Sequence, residues 1–315
     1  MSGCPRAGTI EEGSPPWAAP PALAGVLAKA WAVRQAHFPP VLGVDRPSLT
    51  VPVSVTGTGC ALDCAHCGRH YLRSMRPAVA VPVPGVRSYL VSGGCDSRGR
   101  VPLTAHRELL ARLRETGAHL NLHTGLVGEV EAEQLAVYGQ VVSLDWVTDE
   151  ATVKEVYGLE AGAADYEAAY RALASHLPVV PHLCIGLKGG EMEGEWEALE
   201  RLSRLRPQAV VFIVFIPTPG TRYASRAAPP VAQVVEFLAQ ARLQLPEAEL
   251  SLGCMRPRGE YRRRLDPLAV AAGINRIVLP APEAIEEARA RGLVLSASEE
   301  CCALALVDHE GEGRR

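Results

Sequence analysis

Eight short apolar runs recur along the chain, at Thr50–Val55, Ser88–Ser92, His119–His123, Val141–Asp145, Val179–Ile185, Val210–Ile216, Leu250–Cys254 and Arg276–Leu279. Each is rich in Val, Ile and Leu, the pattern of strands covered on both faces. Amphipathic segments lie between them. They predict helices over Arg107–Glu115, with Thr104 as N-cap, and over Asp165–His176, Gly194–Leu205, Val231–Leu243, Gly259–Ala272 and Pro282–Arg291. Strand–helix alternation of this kind predicts an α/β fold with a parallel sheet. Eight units predict a (β/α)8 TIM-type barrel. A six-stranded partial barrel with a C-terminal extension and a doubly wound open sheet are the competing arrangements. Residues 1–20, rich in Pro, Gly and Ala, read as a loose tail, 21–303 as one barrel domain, and 304–315 as a second tail.

Composition narrows the class. The 315 residues are 48% hydrophobic and 21% charged, which excludes a disordered chain, a fibrous repeat and a small disulfide scaffold. A net charge of −3 gives no electrostatic footprint for nucleic acid or an anionic membrane. No run approaches the roughly 18 apolar residues of a membrane span, and the N-terminus lacks the basic start and apolar stretch of a signal peptide. Nine cysteines, an odd number in a chain long enough to need no staples, point to a reducing cytoplasm where thiols stay free to bind metal.

Chemistry gathers at the C-terminal ends of barrel strands, and directly after the first run comes Thr56-Gly57-Thr58-Gly59-Cys60-Ala61-Leu62-Asp63-Cys64-Ala65-His66-Cys67. The spacing is C-x3-C-x2-C. Three thiolates on one short loop can hold three irons of a [4Fe–4S] cluster and leave the fourth open. A structural zinc site asks instead for four ligands, for which His66 and His70 are the nearest additions. Asn121 with His123, and Ser143 with Asp145, fall on common strand faces. They serve either as polar groups in the barrel mouth or as a satisfied buried histidine and a helix-capping aspartate.

The Cys60–Cys67 loop resembles the signature of the radical S-adenosylmethionine superfamily. The resemblance implies that Cys60, Cys64 and Cys67 bind a [4Fe–4S] cluster whose open iron chelates S-adenosylmethionine, and that one electron, from a ferredoxin or flavodoxin, yields a 5′-deoxyadenosyl radical. His66 takes the place usually held by an aromatic residue near the adenine. Ser92-Gly93-Gly94-Cys95-Asp96 matches the glycine-glycine-acid element that meets the methionyl amino group, with Cys95 where a glutamate is usual. The turn Gly186-Leu187-Lys188-Gly189-Gly190, the Pro217-Thr218-Pro219-Gly220-Thr221 loop and the stretch Asp149 to Tyr157 resemble the biotin-synthase-like subgroup. The cofactor-binding set implied is His66, Gly93, Gly94, Asp96, His123, Asp145, Gly186 and Gly189, with Lys188 a candidate partner for a carboxylate.

Cysteines outside the loop extend the resemblance. Cys254 lies in Leu252-Gly253-Cys254-Met255-Arg256-Pro257, and Cys301 and Cys302 follow Glu299-Glu300. An auxiliary iron–sulfur cluster would take Cys254 with Cys301 or Cys302, and Cys95 as a further ligand; otherwise these are small buried residues, as Cys184 is expected to be. With Ser-Gly-Gly-Cys-Asp and Glu-Cys-Cys, these segments resemble one component of the split, two-protein lipoyl synthase. That resemblance implies sulfur insertion into an octanoyl chain on a lipoyl carrier domain and a second radical enzyme as partner. A hydrogenase-cofactor maturase or a carbon-skeleton mutase of the same subgroup is the near alternative, and a non-catalytic metal-binding protein the distant one.

Overall fold

The computed structural model describes Trp17 and residues 19–305, so Cys4 and most of the two expected tails lie outside it. Among the described residues the strands are β1 (Val41–Asp45), β2 (Thr50–Ser54), β3 (Arg76–Pro77), β4 (Ser88–Ser92), β5 (His119–His123), β6 (Val141–Asp145), β7 (Val179–Ile185), β8 (Ala209–Val214), β9 (Glu249–Leu252), β10 (Arg276–Val278) and β11 (Val294–Ser298). The helices are α1 (Ala24–His37), α2 (Arg107–Glu115), α3 (Glu129–Ala136), α4 (Glu150–Tyr157), α5 (Ala163–Ala174), α6 (Glu195–Leu205), α7 (Val231–Gln244), α8 (Glu260–Ala271), α9 (Pro282–Ala290) and α10 (Cys302–Ala305). The eight apolar runs are β2 and β4 to β10, with ends that agree within two residues. Thr104 is not the cap of α2: a short 3-10 turn over Leu103–His106 precedes that helix.

All eleven strands lie in one parallel sheet, ordered β11-β1-β10-β9-β8-β7-β6-β5-β4-β2-β3. The sheet curls as a barrel does but does not close by strand pairing, which bears out the α/β partial-barrel expectation, with eleven strands in place of six and without the closure of a complete barrel. The reason is local. Only four residues, Arg46 to Leu49, join β1 to β2, whereas parallel neighbours need a crossover of about a dozen residues or more. The two strands therefore follow one another instead of pairing. The segment after β11 bridges the seam: Arg46 N–H donates to Ser298 O (2.7 Å), Leu49 N–H to Glu299 O (3.0 Å) and Cys301 N–H to Thr50 Oγ1 (2.8 Å).

One continuous apolar core lies between sheet and helices. A second, smaller cluster sits inside the curl, where Cys302, Ala303 and Leu304 pack against Val141, Val180, Ala209, Val211 and Val278. The short α10 therefore plugs the amino end of the sheet. Among the described residues no helix is long and apolar enough to cross a membrane.

A fully buried ion pair organises the mouth between β9 and β10. Arg256 Nε and Nη2 donate to Asp266 Oδ1 and Oδ2 at 2.8 and 2.7 Å, and Arg256 Nη1 donates to Gly253 O at 2.6 Å. Asp266 also accepts from Ala281 N–H at 2.9 Å. Removing one member strands the other's charge in the core. Asp266→Ala is expected to lower stability by roughly 3–5 kcal/mol. The Arg256→Met/Asp266→Leu pair should cost clearly less than the two single changes summed, as read from urea unfolding curves.

Candidate active site

The cysteine loop leaves β2 and is pinned from several sides. Ser54 Oγ donates to Gly57 O (2.6 Å), and Thr56 Oγ1 donates to Gly59 O (2.8 Å) while accepting from Gly94 N–H (2.7 Å). Ala61 N–H donates to Cys95 O (2.8 Å), Ala65 N–H to Val156 O (2.7 Å) and Tyr223 N–H to Ala65 O (3.0 Å). The segment after β4 is thus laced onto the loop. Gly94 is what allows it: a Cβ there would stand 1.9 Å from Gly59 O and 2.6 Å from Cys60 Cα. Gly93 is less constrained, its nearest contacts being Thr56 Oγ1 and Val55 Cγ2 at 3.1 Å.

Cys60, Cys64 and Cys67 are half-buried free thiols. Burial, then the charges of Cys67 and Cys60, push the Cys64 thiol well up. A bound cationic centre removes that penalty, because it deprotonates and neutralises its thiolate ligands. Backbone donors face the sulfurs as well. Cys95 N–H donates to Cys60 Sγ at 3.3 Å, and the backbone amides of Tyr71, Arg69 and His70 face Cys67, whose thiol burial still raises. Among the described residues no group of three His, Cys, Asp or Glu side chains is arranged to hold a single metal ion. A cubane cluster does not need that convergence, since its three thiolates bind three separate irons. The donor set fits the cluster and not a zinc ion.

Other expected residues separate into those that face the barrel interior and those that do not. His66 packs edge-on against Tyr157 (5.8 Å between centroids), its Nδ1 is buried without a partner, and burial lowers it to about 4. His123 Nε2 lies 3.4 Å from Asp145 Oδ1. The Asp145 side chain is 49% exposed although it stands on a central strand, so it lines an open lumen. Burial raises the Asp145 carboxyl, but His123, His182 and His66 more than offset this and hold it at about 2. Burial likewise pulls His123 down, and Asp145 carries it above its ordinary value. His182, which the motifs do not single out, stands beside His123 (6.1 Å) and donates through Nδ1 to Val180 O (3.0 Å), leaving Nε2 as an acceptor in the lumen. Burial and the His123 charge lower it to about 4.

Asp96 does not face the lumen. Its carboxylate accepts from Arg98 N–H (2.9 Å), Arg100 N–H (3.0 Å) and the Arg100 guanidinium (2.9 Å), so it shapes its own turn. Gly186 and Gly189 form the turn after β7 with φ of +74° and +67°. Glu195 Oε1 accepts from Gly186 N–H (2.8 Å) and Leu187 N–H (3.3 Å) to hold it. Lys188 pairs with Glu193 (2.5 Å) and Glu155 (3.8 Å) of the same chain. Asn121 and Ser143 meet directly, with Ser143 Oγ donating to Asn121 Oδ1 at 3.0 Å.

The candidate auxiliary cysteines divide in the same way. Cys95 belongs to the Cys60 loop, not with the late cysteines. Cys254 is exposed, and the charge of Cys301 reaches it. Cys302 is buried in the plug. The Asn121 amide donates to the Cys301 sulfur (3.5 Å), and with the Ala303 amide and the neighbouring Cys302 thiol it draws Cys301 down against the effect of burial. Cys184 is half-buried and burial pushes it well up, as for a thiol without an ionic role.

Two expectations follow. Gly94→Ala should displace the cysteine loop and lower the iron retained after anaerobic reconstitution at least twofold, whereas Gly93→Ala should retain most of it, with iron assay and far-ultraviolet circular dichroism separating loop damage from unfolding. In the apoprotein the lumen imidazoles should titrate apart, His182 near pH 4 and His123 above the ordinary histidine value. Asp145→Asn should lower the His123 midpoint, read from imidazole proton shifts, because it removes the charge that favours the imidazolium.

No family model matches the chain. It is 23% identical over 272 residues to a biotin synthase of Bordetella avium (strain 197N), a match spanning 80% of this chain and 81% of that one. Its fold is shared with methylornithine synthase (PylB), at TM-score 0.61 and 15% identity over 90% of this chain and 92% of that one. It is also shared with the FeFe-hydrogenase maturase HydG from Carboxydothermus hydrogenoformans, at TM-score 0.60 and 14% identity over 86% and 71%. With the cysteine loop at the carboxyl end of β2 and the glycine segment of β4 laced onto it, the chain is thus similar in sequence to a biotin synthase and shares the fold of methylornithine synthase and HydG.

Proposed function

We propose that this chain is a biotin-synthase-like enzyme of the radical S-adenosylmethionine superfamily, with a [4Fe–4S] cluster and S-adenosylmethionine as cofactors, and that it inserts sulfur into an unactivated C–H bond of an octanoyl chain carried by a lipoyl domain, as one component of a two-protein lipoyl synthase. When bound, the cofactors of the Cys60–Cys67 site supply hydrogen-atom abstraction, and an auxiliary iron–sulfur cluster supplies the sulfide. The observation that carries this reading is the placement of Cys301, which is held across the open seam by its N–H donating to Thr50 Oγ1 (2.8 Å) and its sulfur accepting from Asn121 Nδ2 (3.5 Å). The Cys302 thiol, the Ala303 amide and Asn121 also draw its thiol down. A lowered pKa in a partly accessible thiol marks a metal ligand or a nucleophile more than a packing residue. Cys254, within electrostatic reach at the end of β9, is the natural second ligand. Cys302 packs among Val141, Val180 and Ala209 and anchors the segment that carries Cys301.

The partners follow from the same reading: the octanoylated carrier domain, the second radical enzyme and a ferredoxin or flavodoxin as reductant. A second reading has one observation in its favour. His123, Asp145, His182, Asn121 and Ser143 make much of the lumen polar, which suits a polar substrate of the kind rearranged by carbon-skeleton mutases.

Iron counting separates the two. Anaerobic reconstitution should give more than about four irons per chain. Cys301→Ala and Cys254→Ala should bring the count down to about four, with deoxyadenosine still formed but no sulfur transferred. A wild-type count of about four, unchanged in both variants, would refute the sulfur-donor reading. Replacing Cys60, Cys64 or Cys67 by Ala should abolish deoxyadenosine formation under either reading.

A further inference from the structure

A basic surface surrounds the cysteine loop and takes no part in the lumen chemistry. From Cys64 through Cys95 the chain contains no Asp or Glu, but it carries Arg69, Arg73, Arg76 and Arg87. Against a net charge of −3 for the whole protein this is a local reversal of sign. Arg69, His70, Arg73 and Arg76 are all exposed and follow Cys67 within nine residues. Among the described residues none of these arginines has an acidic partner, whereas Arg100, Arg201, Arg263 and Arg291 are all paired. The Arg222 side chain joins them from across the loop. Its Nη2 donates to the backbone oxygens of Asp63 (3.0 Å) and Glu155 (3.3 Å), and its neighbour Thr221 lies against Gly68. Asp63 is the one acid on the loop itself. Beside the arginines Val79 is 93% exposed, the most exposed large apolar side chain among those described.

The backbone here is also unusual. Gly68 and Arg69 take consecutive left-handed conformations, φ +49° and +62°. For Arg69 that costs on the order of 1 kcal/mol. The turn folds the amides of Arg69, His70 and Tyr71 back onto the Cys67 sulfur, while the Arg69 and His70 side chains face outward and the Tyr71 hydroxyl pairs with Thr218 Oγ1 (3.1 Å). One short segment therefore touches a cluster ligand on its inner side and solvent on its outer side.

We infer that the surface formed by Arg69, Arg73, Arg76 and Arg222, with Val79 at its apolar edge, is the docking site of an acidic protein that carries one electron. The carrier is oxidised by one electron and the cluster reduced by one; no bond is made or broken. Charge complementarity steers the encounter, and a small contact with an apolar point and a charged surround is what a transient electron-transfer partner needs. The short path from surface to Cys67 through the 69–71 amides is the physical reason for placing the dock here. This inference rests on the proposed [4Fe–4S] cluster of the Cys60–Cys67 loop and is independent of whether the enzyme inserts sulfur.

Reduced flavodoxin is the probe. Stopped-flow reduction of the reconstituted enzyme should be fast at low salt and slow steeply as salt rises. Arg73→Glu/Arg76→Glu should weaken flavodoxin binding and slow reduction at least tenfold at low salt. Arg87→Glu reverses an equally unpaired arginine at the opposite, amino end of β4 and should change neither. Dithionite, which needs no docking surface, should reduce wild type and all variants alike and support deoxyadenosine formation without any octanoyl substrate. Unchanged flavodoxin kinetics in the double variant would overturn the assignment. So would an equal loss with dithionite, which would mean damage to the cluster, or a single-stranded RNA oligonucleotide binding the patch more tightly than flavodoxin does.

Discussion

The close approach of Gly94 to Gly59 and Cys60 is the contact on which the active site depends. It joins the carboxyl ends of two neighbouring strands at backbone-to-backbone distance, with no side chain between them. Only then can Thr56 bridge the two segments and the Cys95 amide reach the Cys60 sulfur. A loop of three cysteines is otherwise a flexible segment whose thiols repel one another's charge. Lacing it to β4 costs no large side chain and supplies fixed dipoles where thiolate charge must be held. The residues expected to serve only the cofactor thus have a prior duty toward the ligand loop.

Electrostatics inside the lumen follows from the same end of the sheet. Asp145 stands among His123, His182 and His66, and they keep it ionised despite its depth. In turn Asp145 draws His123 toward its imidazolium form, while burial and the His123 charge hold His182 neutral against the pull of Asp145. The wall therefore sets an anion beside one imidazole that it charges and another that stays an acceptor. At the other end the closing segment places Cys301 against Asn121 and seals the floor with Cys302 to Leu304. The four-residue link between β1 and β2 keeps the seam open, and the open seam is what admits this segment. A fully paired barrel would have no gap for a late cysteine to enter.

How much of this was legible depends on range. The strands β2 and β4 to β10 were, because a parallel strand buried on both faces needs an unbroken apolar run, and the run itself is the signal. The run at Val41–Asp45 was not, because it is short, contains Gly43 and is followed at once by Arg46 and Pro47. Without it the open seam could not be anticipated. Arg256 gave no sign beyond its place between Cys254 and Pro257, and nothing nearby names Asp266 as its partner. Asp96 misled because the glycine-glycine-acid pattern marks where a carboxylate stands and not what it faces; Arg98 and Arg100 claim it within its own turn.

The sequence by itself determined the repeating βα architecture and the three-cysteine loop at the carboxyl end of a strand. Both are local, written in neighbouring residues and read from spacing and composition. Only the tertiary structure decided which glycine admits the cysteine loop, that Cys95 belongs to that loop while Cys254 and Cys301 share the lumen, that His182 joins His123 and Asp145, and that the sheet stays open. These are contacts between residues far apart in the chain. Their distances are set by the curl of the sheet, which no short stretch of sequence contains.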